Sequence, residues 1–277
     1  FIQEDFIQED FSMRKVTLSD GGMVMTERQG RGPTILLVSG LGGTAGFWKP
    51  WIAARSTQWD MISFDQRAIG QSTRGEAAVT IAQLAEDCCA ILDAYDVKDC
   101  VIIGHSTGGV IAQYLAANHP QRIKAAILSG SWLKADAYIH ALFQQRKAIL
   151  YSNPEAYQVF GAMMGYAPDW LHQNWQVFEA ALATTPRTER AQHVIAERID
   201  ALLAFDGTAL APLITQPVLI LGAKDDAIIP CSHQQHLQSV LPHARFRQLD
   251  SGGHFFPLTR LEDTLHSVDA FMDSYDG

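Results

Sequence analysis

The 277-residue chain predicts an α/β fold: a mostly parallel eight-stranded sheet flanked by helices, with a helical cap inserted after strand 6. Three observations predict it. Short apolar, β-rich runs alternate with helical patterns along most of the chain, as parallel strands joined by crossover helices require. One run, Cys100 to Ile103, breaks into Gly104-His105-Ser106-Thr107-Gly108 and continues directly as an apolar helical pattern. Between residues 131 and 212 the alternation stops, and helical pattern punctuated by Pro154, Pro168 and Pro186 takes over.

In chain order, Lys15 to Leu18 and Met23 to Glu27 flank Ser19-Asp20-Gly21-Gly22 and predict a hairpin. Thr34 to Val38, Trp59 to Phe64, Cys100 to Ile103, Ala125 to Leu128, Val218 to Leu221 and Phe246 to Leu249 are the remaining strands. Ile81 to Tyr95, Val110 to Asn118 (stopped by Pro120) and Leu261 to Met272 are helical. The pentapeptide Phe1-Ile2-Gln3-Glu4-Asp5 is repeated as Phe6 to Asp10, too short for a solenoid unit, and the first methionine is Met13. Residues 1–12 are therefore read as an N-terminal extension without a catalytic part, 13–130 and 213–277 as one catalytic core, and 131–212 as the cap.

Composition narrows the partners. With 47% hydrophobic residues the chain can bury a large core, and a net charge of −9 without basic clusters argues against nucleic acid and anionic membrane surfaces. No run approaches the roughly 18 apolar residues of a membrane helix, and no secretion signal is expected. Cys88, Cys89, Cys100 and Cys231 lack CxxC spacing and read as buried, reduced thiols, which points to the cytoplasm. His233 and His236 lie three apart on an expected helix, where a solvated face outweighs a metal site. No metal or other cofactor is expected, and no pattern fixes the oligomeric state.

The Gly-x-Ser-x-Gly turn carries chemistry. A serine at the tip of a strand-to-helix turn projects its hydroxyl outward, and glycines at 104 and 108 spare neighbouring backbone a Cβ. The turn also aims the Thr107 N–H and the positive end of the following helix at an oxyanion on the substrate. Such a serine needs an acid and then a histidine, each after a later strand. Val218 to Leu221 runs into Gly222-Ala223-Lys224-Asp225-Asp226, and Phe246 to Leu249 runs into Asp250-Ser251-Gly252-Gly253-His254.

On these motifs the chain resembles the α/β-hydrolase superfamily from about Val16 to Met272. Leu36-Leu37-Val38-Ser39-Gly40-Leu41-Gly42-Gly43 is similar to the family's oxyanion loop, and Phe64-Asp65-Gln66-Arg67-Ala68-Ile69-Gly70-Gln71-Ser72 to the loop after its fourth strand. Two departures stand out: Ser39 replaces the usual His, and Ala68 a usual Gly. The first, with Trp132-Leu133, Phe143-Gln144, Arg146, Leu150-Tyr151 and Asp169-Trp170, resembles the subgroup of aminoacrylate hydrolases and 3-oxoadipate enol-lactonases. The resemblance implies Ser106 as nucleophile, His254 as general base, an aspartate orienting it, and the Leu41 and Thr107 N–H groups as the oxyanion hole. The family's spacing from Pro217 and to Pro230 selects Asp226 as that acid, whereas counting from Gly222 selects Asp225; the two proline anchors favour Asp226.

The implied function is a serine hydrolase acting through an acyl-enzyme on a small carboxylic-acid derivative: an amide, carbamate, enamine-derived acid, enol-lactone or ester. A carboxylesterase, perhydrolase or C–C bond hydrolase on the same triad is one alternative, and a non-catalytic ligand-binding protein is another. Selectivity is expected in the cap, where Trp132, Tyr151, Tyr157, Phe160, Met163, Met164, Tyr166, Trp170 and Trp175 supply apolar surface. Some of these roof the pocket, with Trp132 and Tyr166 named as substrate contacts. Lys134, Arg146, Arg187, Arg190 and Arg198 interrupt this apolar segment, and Arg146 and Arg198 are the pair expected to hold an anionic small-molecule substrate.

Overall fold

The computed structural model describes residues 11–275; the repeated pentapeptide, and with it most of the expected extension, lies outside the described residues. Eight strands form one sheet: β1 (Phe11–Thr17), β2 (Met23–Gly30), β3 (Thr34–Val38), β4 (Asp60–Phe64), β5 (Cys100–His105), β6 (Ile123–Ser129), β7 (Val218–Ala223) and β8 (Arg245–Leu249). Their spatial order is β1-β2-β4-β3-β5-β6-β7-β8. β2 pairs antiparallel with β1 and with β4, and every other pairing is parallel. β1 begins at Phe11, ahead of both the expected hairpin strand and the expected start of the core. Its partner β2 runs on to Gly30, so the register Phe11↔Gln29 continues the ladder.

The central strands read as unbroken apolar runs because both faces are covered. Along β3, Leu36 and Val38 face one core and Ile35 and Leu37 the other. The first core is closed by α2 (Ile81–Ala94), α3 (Thr107–Asn118) and α9 (Ser232–Val240), the second by α1 (Lys49–Arg55) and α11 (Leu261–Tyr275). The short α10 (Phe256–Thr259) follows the histidine loop.

Five helices lie between β6 and β7: α4 (Ala137–Ser152), α5 (Pro154–Gly165), α6 (Pro168–Gln173), α7 (Trp175–Ala183) and α8 (Glu189–Ala204). Asp136, Asn153 and Thr188 cap α4, α5 and α8 with side-chain oxygens that accept backbone N–H groups. Ile139, Phe143 and Leu150 of α4, Tyr157 of α5 and Ile199 and Leu202 of α8 join the first core, so three of the helices share its packing. At the neck, Lys134 pairs with Asp206 in an isolated bridge and through a 2.6 Å contact of their side chains. α7 buries none of its residues.

Candidate active site

Ser106 sits between the end of β5 and the first residue of α3, with φ 55° and ψ −118°, a conformation that costs a side-chain-bearing residue on the order of 1–3 kcal/mol. Neighbouring backbone holds it there: its N–H donates to Ser129 O at 2.7 Å, and its carbonyl accepts from Gly109 N at 2.9 Å and from Ser131 Oγ at 3.0 Å. Glycine is required on both sides of the turn. A Cβ on Gly104 would lie 2.0 Å from Gly108 O, and one on Gly108 would lie 2.0 Å from Val38 O of β3. The serine is thereby lifted from the carboxyl edge of the sheet at the amino end of α3, where helix N–H groups have no partner within the helix.

His254 follows β8 and Asp226 follows β7, and the parallel pairing of these strands brings them together. His254 Nδ1 lies 2.8 Å from Asp226 Oδ2, with both side chains buried. The other carboxylate oxygen of Asp226 accepts the N–H groups of Ile228 at 2.9 Å and Ile229 at 2.8 Å. Asp225 turns the opposite way. Its two oxygens accept from Gly252 N at 3.1 Å and Gly253 N at 2.9 Å, fixing the backbone just before His254.

Ser106, His254 and Leu41 line one cavity of about 770 Å³ at the carboxyl edge of the sheet, under the inserted helices. Its walls include Phe47, Phe255, Arg146, Tyr157 and Tyr166. Of the nine aromatic and methionine residues from which some were expected to roof the pocket, Tyr157 and Tyr166 reach this cavity. Tyr166 stacks on Trp170 at 5.2 Å and packs on Phe255 at 4.7 Å, while Tyr151, Phe160, Met163 and Trp175 lie about half exposed. Burial pushes the Tyr166 phenol above its ordinary range.

Two of the expected substrate contacts lie outside the cavity lining. Trp132 is fully buried in the first core and does not line the cavity; it lies three residues past the end of β6, and the first core takes its ring. Arg198, 1% exposed, also does not line the cavity, because Nε and Nη2 of its guanidinium bond to the loops after β3 and β4. Nε donates to Leu41 O at 2.9 Å, and Nη2 to Gly40 O at 3.1 Å and Gln66 Oε1 at 2.6 Å. Arg146 does reach the cavity. Its guanidinium carbon lies 4.8 Å from the Tyr157 ring centre and 5.4 Å from that of Phe143, and among the described residues no carboxylate pairs with it. Lys134 and Arg187, by contrast, meet Asp206 and Glu155.

Several residues at the site carried no distinguishing sequence signal. His105 packs its ring 4.8 Å from that of His254 and stacks on Phe47 at 5.1 Å, while Nδ1 meets Ser129 Oγ at 3.0 Å. Burial, reinforced by the neighbouring His254, holds His105 well below the ordinary imidazole range, so this ring is neutral. Phe255 could have been singled out only by its position next to His254. Ser39, standing where the family has His, donates to Thr44 O at 2.7 Å, and Ala68 takes φ 67° in place of the usual glycine.

His233 is buried and lies 3.3 Å from Asp136, not on a solvated face, because α9 packs against the sheet. All four cysteines are buried and free. Among the described residues, Glu86, Cys89 and His119 form a three-donor cluster away from the cavity. It fits a metal poorly: His119 Nε2 already meets Glu86 at 2.7 Å, and burial pushes the Cys89 thiol up to about 11. No helix among the described residues is long and apolar enough to cross a membrane.

Comparison with known proteins gives this arrangement its family. A protein of Azorhizobium caulinodans named "Putative carbamate hydrolase RutD" is 36% identical over 231 residues, covering 83% of this chain and 87% of that protein. One of the same name from Caulobacter vibrioides is 33% identical over 268 residues, covering 94% of this chain and 99% of its own. Among solved structures, the enol-lactonase from Burkholderia xenovorans LB400 matches with a TM-score of 0.86 at 21% identity, over 94% of this chain and 100% of that one, a likeness of fold. A family model described as alpha/beta hydrolase fold matches residues 33–261, and with the elbow, loops and sheet order already described, the chain belongs to the alpha/beta hydrolase fold family.

Proposed function

We propose that this protein is a serine hydrolase that cleaves an ester or C–N bond of a small carboxylic-acid derivative, with Ser106 as nucleophile, His254 as general base and Asp226 as its orienting acid. The observation that carries the reading is the buried 2.8 Å pair of His254 and Asp226, whose imidazole lines the same cavity as a serine held at positive φ. Asp226 keeps the proton of the His254 imidazole on Nδ1, which leaves Nε2 to take the Ser106 proton as Oγ attacks the scissile carbonyl. The oxyanion is met by the N–H groups of Leu41 and Thr107, each worth about 2.7–4 kcal/mol in comparable sites. The protonated His254 then donates to the leaving group, and water repeats the sequence on the acyl-enzyme.

The inserted helices act as the cap that selects the substrate. Arg146, backed by two rings and unmatched by any carboxylate among the described residues, suits a carboxylate on the substrate at the cavity wall. Carbamates enter the substrate class through the name shared by the two relatives. A fluorophosphonate probe tests the nucleophile: covalent labelling of the wild type at Ser106, lost in Ser106→Ala, is expected. A folded wild-type protein that takes no label would instead favour a ligand-binding protein without turnover.

A further inference from the structure

Arg198 is a buried guanidinium that pairs with no carboxylate among the described residues, and a charge taken out of water is costly unless hydrogen bonds offset it. Its bonded partners are neutral oxygens: Leu41 O at 2.9 Å, Gly40 O at 3.1 Å and Gln66 Oε1 at 2.6 Å. Gln66 extends the grip, since its Nε2 donates to Ser39 O at 2.7 Å. Three successive carbonyls of the loop after β3 are thus held by one arginine of α8 and the glutamine it binds. Gly43 N also donates to Gly40 O, at 3.0 Å.

The geometry of the peptide bond turns this grip into a function. Gly40 C=O and Leu41 N–H belong to one planar trans unit and point in opposite directions, so whatever fixes the carbonyl fixes the N–H. A charged donor on the carbonyl oxygen also draws electron density from the amide and makes the N–H a stronger donor. Among the described residues no acceptor takes the Leu41 N–H, and Leu41 lines the cavity with Ser106.

We infer that Arg198 is a positioning residue that aims and polarises the Leu41 N–H toward the oxyanion, a role that rests on the proposed reaction and leaves substrate anchoring to Arg146. Because α8 belongs to the cap, the same contact ties cap placement to a competent oxyanion site. Lysine cannot replace it fully, since one ammonium cannot reproduce a planar fork spanning Leu41 O, Gly40 O and Gln66.

The test uses Arg198→Met and Arg198→Lys with the neutral substrate p-nitrophenyl acetate, which removes any contribution from substrate charge. Expected are at least a tenfold loss of kcat in Arg198→Met with KM within twofold, a smaller loss in Arg198→Lys, and an equal weakening of a trifluoromethyl ketone that mimics the tetrahedral adduct. The Leu41 amide resonance, read by 1H–15N NMR, shifts upfield in Arg198→Met. Folded variants that keep kcat and ketone affinity within twofold of wild type, or that change KM alone, overturn the inference, as does an unmoved Leu41 resonance in either variant. Absence of fluorophosphonate labelling in the wild type would instead sink the serine-hydrolase reading, while the Leu41 resonance would still report whether Arg198 polarises that amide.

Discussion

Exchanging the two adjacent aspartates for asparagine separates their roles. In Asp226→Asn, the new amide must choose between two orientations. With its oxygen toward Ile228 N and Ile229 N it keeps two buried acceptor bonds; flipped, it would leave those N–H groups facing an NH2, at about 1–3 kcal/mol each. The first orientation wins, and it sets an NH2 against His254 Nδ1. The ring then accepts at Nδ1 and carries its proton on Nε2, the wrong tautomer for taking a proton from Ser106. The expected loss in kcat is about 10⁴-fold, the size seen when a triad acid is amidated elsewhere, or about 5.5 kcal/mol in the barrier.

Asp225→Asn leaves that ring untouched. Its single remaining acceptor oxygen can serve one of Gly252 N and Gly253 N, so the cost falls on stability, about 1–3 kcal/mol, with kcat within roughly tenfold of wild type. The assay is initial-rate hydrolysis of p-nitrophenyl acetate near pH 8, with thermal unfolding to verify that each variant is folded. An Asp226→Asn protein retaining more than about a hundredth of wild-type kcat, or an Asp225→Asn protein showing the greater catalytic loss, would refute the assignment.

The other predictions concern charge and pH. Arg146→Met should lower kcat/KM for an acid-bearing substrate by about thirtyfold, about 2 kcal/mol for a charge-assisted pair, while leaving its methyl ester within threefold; equal effects on acid and ester would dismiss the anionic-substrate reading. His105 is held neutral by burial and by His254, so its folded pKa lies below the ordinary 6.5 while the unfolded chain titrates there. Stability is then full above about pH 6.5 and falls as acid protonates the unfolded state first, by up to about 1.4 kcal/mol per pH unit from this one group. Urea unfolding of wild type and His105→Phe between pH 7.5 and 5 should show the shallower slope in the variant, and parallel slopes would mean that His105 takes up its proton in the folded state.

Legibility in the sequence differed by the range of the interaction involved. The elbow was readable because its demands are local: β-branched residues up to Ile103, no Cβ at 104 and 108, and an apolar helix from Val110 are enforced within a dozen residues. The sheet was readable for the same reason, since strands covered on both faces leave unbroken apolar runs. Neighbouring Asp225 and Asp226 were harder to separate. One residue of backbone rotation sends the first to the Gly252 and Gly253 amides and the second to the His254 ring, and only the packing of β7 beside β8 makes that rotation matter.

The helices between β6 and β7 show where local pattern stops informing. Trp132, Arg146, Arg198 and Tyr166 all look alike to periodicity and composition: large or charged residues in an apolar helical segment. What divides them is distance in space across long separations in the chain. Arg198 bonds carbonyls 157 and 158 residues away, whereas Arg146 finds two aromatic faces and the cavity. The sequence by itself determined the α/β order, the strand-to-helix turn at Ser106 and the loops that carry Asp226 and His254, because each is written in short-range backbone and burial requirements. Which arginine faces the cavity, which aspartate meets the imidazole and which aromatic rings form the wall were decided by the tertiary structure alone, because a side chain's partners depend on how distant elements pack.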